Sequence, residues 1–539
     1  MNKVKSYLII VLISLATLVS AQEVPVTGLD TVQFSSDIIP EVTEALKIPF
    51  HPQLSNTSDS INIKQYHVPK YPFSFNYKPK TFRPLAFKKS RDKALNNNLI
   101  KVGLGVPFNY NLEGYYNSSR SKDLLYATYI NHYHLNGGTA NRSINVTDFK
   151  AFGKKIWKKY ILELQLDNGN YLHEFIDPKA LIPRAFGDVI ANRQNHVQFK
   201  GIFENINNDP NLLNYSINAS IKHSLSSMYN ANGYSNYINA RIFKNLGPGV
   251  LNVQANLRII ELRNENANNN SIVSLKPYYK LDGKDWSVRL GINAAYDGNT
   301  LLILPEFYSE KILVEQYLTT YSGWKGNIES RDMEEMLYLN PFWDISTEGL
   351  TNTYNNIKYA GFKGMHNAKL SYDIRFERND VSNNLLFVTD ADTNNQNKFI
   401  GLYEDMSINS AHISLGYQIN TKLSTILENR FYTYTMRENE QEAWHLPTYA
   451  LTWISHYKLQ DLFELDMSIF FHGQTYNRID ETIVTNQSFV DASFGIDYLY
   501  NKNLSIFFDI NNILNQTYNT WYNYPGIGIN VMGGVKLSL

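Results

Sequence analysis

Trp286-Ser287-Val288-Arg289-Leu290-Gly291-Ile292-Asn293-Ala294-Ala295-Tyr296 is the stretch whose reading decides the fold. Trp286, Val288, Leu290, Ile292, Ala294 and Tyr296 are apolar, and the residues between them are small or polar. Side chains alternate between the faces of an extended chain, so this pattern makes a strand with one apolar face. Arg289 stands in mid-strand on the other face, where a dry protein core would not tolerate an unpaired cation. One face suits lipid or protein; the other suits water.

The pattern recurs. Leu213, Tyr215, Ile217, Ala219 and Ile221 oppose Asn214, Ser216, Asn218, Ser220 and Lys222. Leu370, Tyr372, Ile374 and Phe376 oppose Lys369, Ser371, Asp373, Arg375 and Glu377. Val490, Ala492, Phe494, Ile496 and Tyr498 oppose Asp491, Ser493, Gly495 and Asp497. Short turn-rich links at 207–210, 282–285, 420–422 and 500–503 alternate with longer polar stretches at 169–192, 324–353, 436–446 and 474–486. Short turns on one side and long loops on the other are the asymmetry of an outer-membrane barrel. A soluble sandwich or propeller also alternates, but ionised groups in mid-strand and a tyrosine-rich apolar face argue against it. The expected fold is all-β: a transmembrane antiparallel barrel over 99–539, of about 22 strands with 20 to 24 allowed.

The N-terminus and the composition agree. Lys3 and Lys5, an apolar run from Leu8 to Val19, and the small residues of Val19-Ser20-Ala21 read as a signal peptide over 1–21. That run is too short to cross a bilayer as a helix, and no long apolar stretch follows it. Mean hydropathy is −0.34, as befits strands that are apolar on one face only. Zero cysteines exclude disulfides, zinc–thiolate sites and iron–sulfur clusters. Fifty basic against 50 acidic residues give no global field for nucleic acid. Aromatics make up 14% of the chain, with 38 tyrosines, which suits strands and interfacial girdles alike.

The last strand alternates Val531, Gly533, Val535, Leu537 and Leu539 with Asn530, Met532, Gly534, Lys536 and Ser538. It resembles the terminal strand read by the barrel-assembly machinery, although that pattern commonly ends in Phe. Before it stand Phe508-Asp509-Ile510-Asn511-Asn512-Ile513-Leu514-Asn515-Gln516-Thr517-Tyr518 and Trp521-Tyr522-Asn523-Tyr524-Pro525-Gly526. This closing segment resembles that of TonB-dependent receptors, and Lys101-Val102-Gly103-Leu104-Gly105 resembles their opening strand, so the likeness covers 99–539. The Asn- and Tyr-rich composition is similar to that of chains from Bacteroidota. The resemblance implies an outer-membrane location, lipid contact and insertion by the barrel-assembly machinery.

TonB-dependent receptors carry a plug domain far longer than the 77 residues of 22–98, so no separate plug domain is expected. Eight of the 18 prolines fall there, which denies it regular helix or central strand. Three readings stay open: a linker, a stopper threaded into the lumen, or a docking segment for a periplasmic or outer-membrane partner.

No G-x-S-x-G elbow, Walker loop or H-E-x-x-H stands in the chain. His132 and His134 share a strand face two apart near Gly137-Gly138, but lack further ligands and read as a solvated loop base rather than a metal site; His173-Glu174 sits in a polar loop. Glu329, Asp332, Glu334 and Glu335 lack EF-hand spacing and read as a solvated turn. No catalytic residue, metal or cofactor is nominated. Arg289, Lys369, Asp373, Arg375 and Glu377 are the candidate lumen-facing residues that would set ion preference. The leading expectation is a transport-class barrel without TonB-driven gating; a scaffolding subunit of a larger outer-membrane complex is the alternative, and an enzyme a distant third.

Overall fold

A computed structural model describes residues 98–539, apart from breaks within loops, of which 177–188 is the longest. The expected signal peptide and the proline-rich segment therefore lie outside the described residues, save for Asn98, which opens the first strand. The described chain is a closed antiparallel barrel of 22 strands, each paired with its neighbour in sequence. The first strand, Asn98–Val106, closes on the last, Asn530–Ser538, in a register running from Leu99↔Ser538 to Val106↔Val531. Closure leaves no free edge, so every strand N–H and C=O inside the membrane finds a partner. Among the described residues no separate plug domain is present.

The period-two reading places the faces. Leu290 (53% exposed), Ile292 and Tyr296 are turned to the outside of the Trp286–Tyr296 strand, and Asn293 to the inside. Phe199, Ile221 and Ile303 are more than half exposed in the same sense. These exposed apolar side chains form the lipid-facing wall, the reverse of a soluble domain. The end where the first and last strands begin and stop carries turns such as 247–248, 283–285 and 367–369. The other end carries the long connections 330–352, 437–448, 473–488 and 512–529. By that asymmetry the former faces the periplasm and the latter the exterior.

Several stretches expected as loop are strand. Tyr160–Ile176 and Val189–Asn205 pair through half of 169–192, from Tyr160↔Asn205 to Ile176↔Val189. Leu318–Glu329 takes the first residues of 324–353, and 475–486 folds as the hairpin Thr475–Ile479 with Thr482–Asn486. Leu370–Thr389 and Phe399–Gln418 each run 20 residues, about twice what a tilted strand needs to span the bilayer. Above the membrane the outer face no longer has to be apolar, so pairing continues where alternation stops. The two larger apolar cores lie at this exterior end, where the loops pack against the wall.

Candidate functional site

Between these rims the inner face carries a belt of tyrosines and ions. On Leu301–Val314, Leu318–Glu329, Thr353–His366 and Leu370–Thr389, the residues Tyr308, Tyr321, Tyr359 and Arg375 lie on the face opposite the exposed apolar side chains. The Arg289 guanidinium lies 5.0 Å from the Tyr278 ring and 3.5 Å from a Glu306 oxygen. Lys363 Nζ donates to Glu310 at 2.9 Å, and the Tyr321 hydroxyl donates to Asp373. Arg375 lies 4.1 Å over the Tyr359 ring and pairs with Glu377. A cavity of about 480 Å³ opens among Tyr308, Tyr321, Tyr359, Lys363, Asp373 and Arg375.

Glycines make room for these rings. Gly323 is the cross-strand partner of Tyr359, and a Cβ there would come within 2.3 Å of the ring. Gly361 stands likewise beneath Tyr321, where a Cβ would meet the ring at 2.6 Å. The rings lie flat along the wall because the neighbouring strand has no side chain to lift them. Flattened rings offer their faces to the guanidinium and ammonium groups beside them.

Of the sequence-nominated residues, Arg289, Asp373, Arg375 and Glu377 share this inner face, and the structure brings the last three into one network. Lys369 stands apart. It lies exposed in the 367–369 turn, where Asn367 reverses the chain at φ 52°, so the alternation of its strand begins only at Leu370. His132 and His134 stand two apart in one strand, Leu124–Asn136, as their spacing suggests. His132 bonds Thr147 at 2.8 Å, and His134 stacks on Tyr110. His173 and Glu174 are likewise in strand. Among the described residues no group of three or more His, Asp or Glu is placed to hold a metal.

The acidic stretch is where the sequence reading misses most. It is no solvated turn. Asp332 caps the helix Met333–Leu339 in a reciprocal capping box with Glu335, each side chain accepting the other's backbone N–H. Its buried carboxylate accepts from Lys222 Nζ at 2.7 Å and Arg258 at 3.1 Å, both from the inner wall. Arg258 also reaches Glu335 at 2.6 Å, and Lys222 reaches Glu334 at 2.8 Å. His196 Nδ1 lies 3.1 Å from Glu334. Burial would raise the Asp332 carboxyl, but Lys222 and Arg258 hold it down to about 2. Burial, followed by the charge of Asp332, pushes the Glu335 carboxyl up to about 7.

The rest of loop 330–352 is stapled across the mouth. The side chain of Asn192 donates to Pro341 O, Tyr229 to Phe342 O and Asn264 to Ile345 O. Asn270 and Asn352 exchange amide hydrogen bonds. Phe342 and Trp343, both fully buried, pack with Met333, Met336, Leu337, Phe387, Phe399, Ile260 and Leu262. From loop 512–529, Tyr524 stacks on Phe342 at 3.5 Å, and Trp521 meets Phe387 and Phe399. His445, from loop 437–448, approaches the Trp521 ring at 4.7 Å, and burial pushes its imidazole down to about 4.

A signal for this docking exists in the sequence. On Gly249–Arg263 the outward series Leu251, Val253, Ala255, Leu257 and Ile259 alternates with the polar inward residues Asn252, Gln254, Asn256 and Arg258 until Ile260 and Leu262. Leu385-Leu386-Phe387-Val388 breaks alternation in the same way. Apolar residues on the wet face, near the exterior end, mark the seat of a loop.

No family model and no curated protein sequence matches the chain. Solved structures do. The siderophore receptor PirA from Acinetobacter baumannii superposes with a TM-score of 0.64 at 11% identity, over 84% of this chain and 81% of that one. A point variant of the ferric enterobactin receptor PfeA from Pseudomonas aeruginosa gives 0.62 at 12% identity, over 84% and 81%. The ferric-catecholate import receptor Fiu from E. coli K12, in a closed form, gives 0.61 at 10% identity, over 83% and 82%.

The fold is that of a TonB-dependent-receptor-like barrel. A receptor-like barrel of 22 strands is a multi-pass protein of the outer membrane. At 10 to 12% identity the likeness concerns architecture; the ligands named for those receptors are theirs.

Proposed function

We propose that this receptor-like barrel passes solutes across the outer membrane through its lumen, gated by loop 330–352 and not by TonB. The observation that carries the reading is the loop itself, belted to the inner wall by Lys222 and Arg258 through Asp332 and Glu335. A gate that belongs to the barrel needs no pulled domain to open. Ion pairs and amide hydrogen bonds can exchange for water when the loop leaves. Below the gate the wall offers the partly buried Arg289, Asp373, Arg375 and Glu377, the groups that would set which ions follow. The fully buried Phe342 and Trp343 also suit a scaffold that never opens, which makes conductance the deciding measurement.

The test is planar-bilayer conductance of the full-length chain, of a chain with 331–351 replaced by a short Gly-Ser link, and of a chain lacking 22–97. A quiet parent and a conducting loop-replaced protein are expected. Conductance released only by removing 22–97 would move the gate to that segment. Silence in all three would overturn transport and favour a scaffolding subunit.

A further inference from the structure

The inner wall carries a row of nitrogen bases. Arg375, His412 and Arg430 are direct cross-strand partners on Leu370–Thr389, Phe399–Gln418 and Leu423–Met436, so all three share the inner face. Gly361 and Ala450 flank the row on the strands to either side. One pleat nearer the periplasm, about 7 Å along the strands, Asp373, Ser414 and Glu428 form a second row. Both rows open on the cavity of about 480 Å³ beside the tyrosines.

Most ions around this cavity have partners. Arg375 is taken by Glu377, Asp373 by the Tyr321 hydroxyl and Lys363 by Glu310. Glu428 and Arg430 differ. They stand two apart on one face of one strand, the spacing at which Arg263 closes on Glu261 at 2.7 Å and Lys280 on Asp282 at 2.9 Å. Among the described residues no ion pair joins them. The Glu428 carboxylate accepts only from the Ser414 hydroxyl, at 3.5 Å, and the buried Arg430 Nε has no partner. Nor has His412 Nε2, next to it in the row. A carboxylate and a guanidinium held apart over one cavity present both signs of charge to whatever enters it.

We propose that this cavity binds a small zwitterion, an α-amino acid, an inference that rests on the reading of the lumen as a solute path. The ligand carboxylate lies on Arg430, whose planar fork matches it, with His412 alongside. The ligand ammonium lies on Glu428, and the rest of the molecule runs toward Tyr308, Tyr321 and Tyr359, which line the same cavity. A plain anion would meet Glu428 and Asp373 as well as the arginine, and a plain cation would meet Arg430. Only a ligand with both charges meets each group with the opposite sign, which is selection by repulsion as much as by attraction.

The test is equilibrium binding to the detergent-solubilised full-length chain by isothermal titration calorimetry, run also with 331–351 replaced so that a shut gate cannot hide the site. The probes are L-phenylalanine, 3-phenylpropanoate and 2-phenylethylamine, which share a ring and differ in charge. Phenylalanine should bind about 10-fold tighter than either analogue, each of which lacks one charge-assisted contact. Arg430→Gln should weaken phenylalanine and phenylpropanoate about 10-fold and phenylethylamine not at all; Glu428→Gln should weaken phenylalanine and phenylethylamine and spare phenylpropanoate. Folding is checked by heat-modifiable electrophoretic mobility, and should one variant not fold, the other carries the test by its own pattern. Equal binding of phenylalanine and phenylpropanoate, a folded variant that weakens all three probes alike, or no binding overturns the proposal. Binding by a chain silent in bilayers overturns passage and leaves the site; conductance without binding overturns the site and leaves passage.

Discussion

Along the inner wall the barrel is built in two ways. The belt around Tyr308, Tyr321 and Tyr359 is wet, with ionised groups on the wall paired to one another, as Lys363 is to Glu310 and Arg375 to Glu377. At the mouth the same kind of wall position holds Ile260 and Leu262, and the ions Lys222 and Arg258 point at a loop instead of at their neighbours. The belt is satisfied by its own strands and by water. The mouth is satisfied only when loop 330–352 is in place. A wall whose charges need a loop as partner supports the proposed gate; one whose charges neutralise each other in place supports a lining.

The sharpest way to break this contrast is to remove one partner of the mouth network. Lys222→Ala leaves the buried Asp332 with Arg258 alone. Breaking a buried pair this way costs roughly 3–5 kcal/mol, here charged against the docked loop. Hydrogen exchange over 331–345 should accelerate while the barrel strands stay protected. Unchanged protection of the loop would show that Phe342, Trp343 and the amide staples hold it without the ions.

A smaller effect is expected from pH. Docked, Glu335 keeps its proton up to about 7, above the ordinary carboxylate range, because of burial and the facing Asp332. Lys222 and Arg258 oppose this, with Glu334 and His196 alongside. The docked loop therefore binds more protons than the free loop between that range and pH 7, and docking weakens as pH rises through it. Asp332 runs the other way, its contribution present above the ordinary range and lost only as pH falls toward about 2. Loop protection should thus fall from about pH 5 to pH 8, and Glu335→Gln should flatten that slope. A parent profile already flat would remove Glu335 from the gate.

The smallest effect belongs to the belt. With the loop replaced so that the lumen conducts, Arg289→Gln together with Arg375→Gln should shift the permeability ratio toward cations by a factor of a few. The same pair in the closed parent should leave loop protection untouched, since neither residue contacts the loop network. A permeability ratio unmoved by both substitutions would strip the belt of any role in selectivity.

Much of this was legible in the chain. A period of two is set by backbone geometry, so Leu290, Ile292 and Phe376 could be assigned to one face and Arg289 and Arg375 to the other before any pairing was known. The closing strand and the strand number followed from the same local signal. Strand ends were not legible, because above the membrane pairing outlasts the pattern that announces it, as in 169–176 and 378–389. Nor was the meaning of Asp332, Glu334 and Glu335 legible. Four carboxylates in seven residues read as a solvated turn until Lys222 and Arg258, more than 70 positions away, are seen to face them. Alternation is a property of neighbouring residues and survives in a linear string. Which cation meets which carboxylate depends on closing the barrel and folding a loop back into it, and only the tertiary structure decides that.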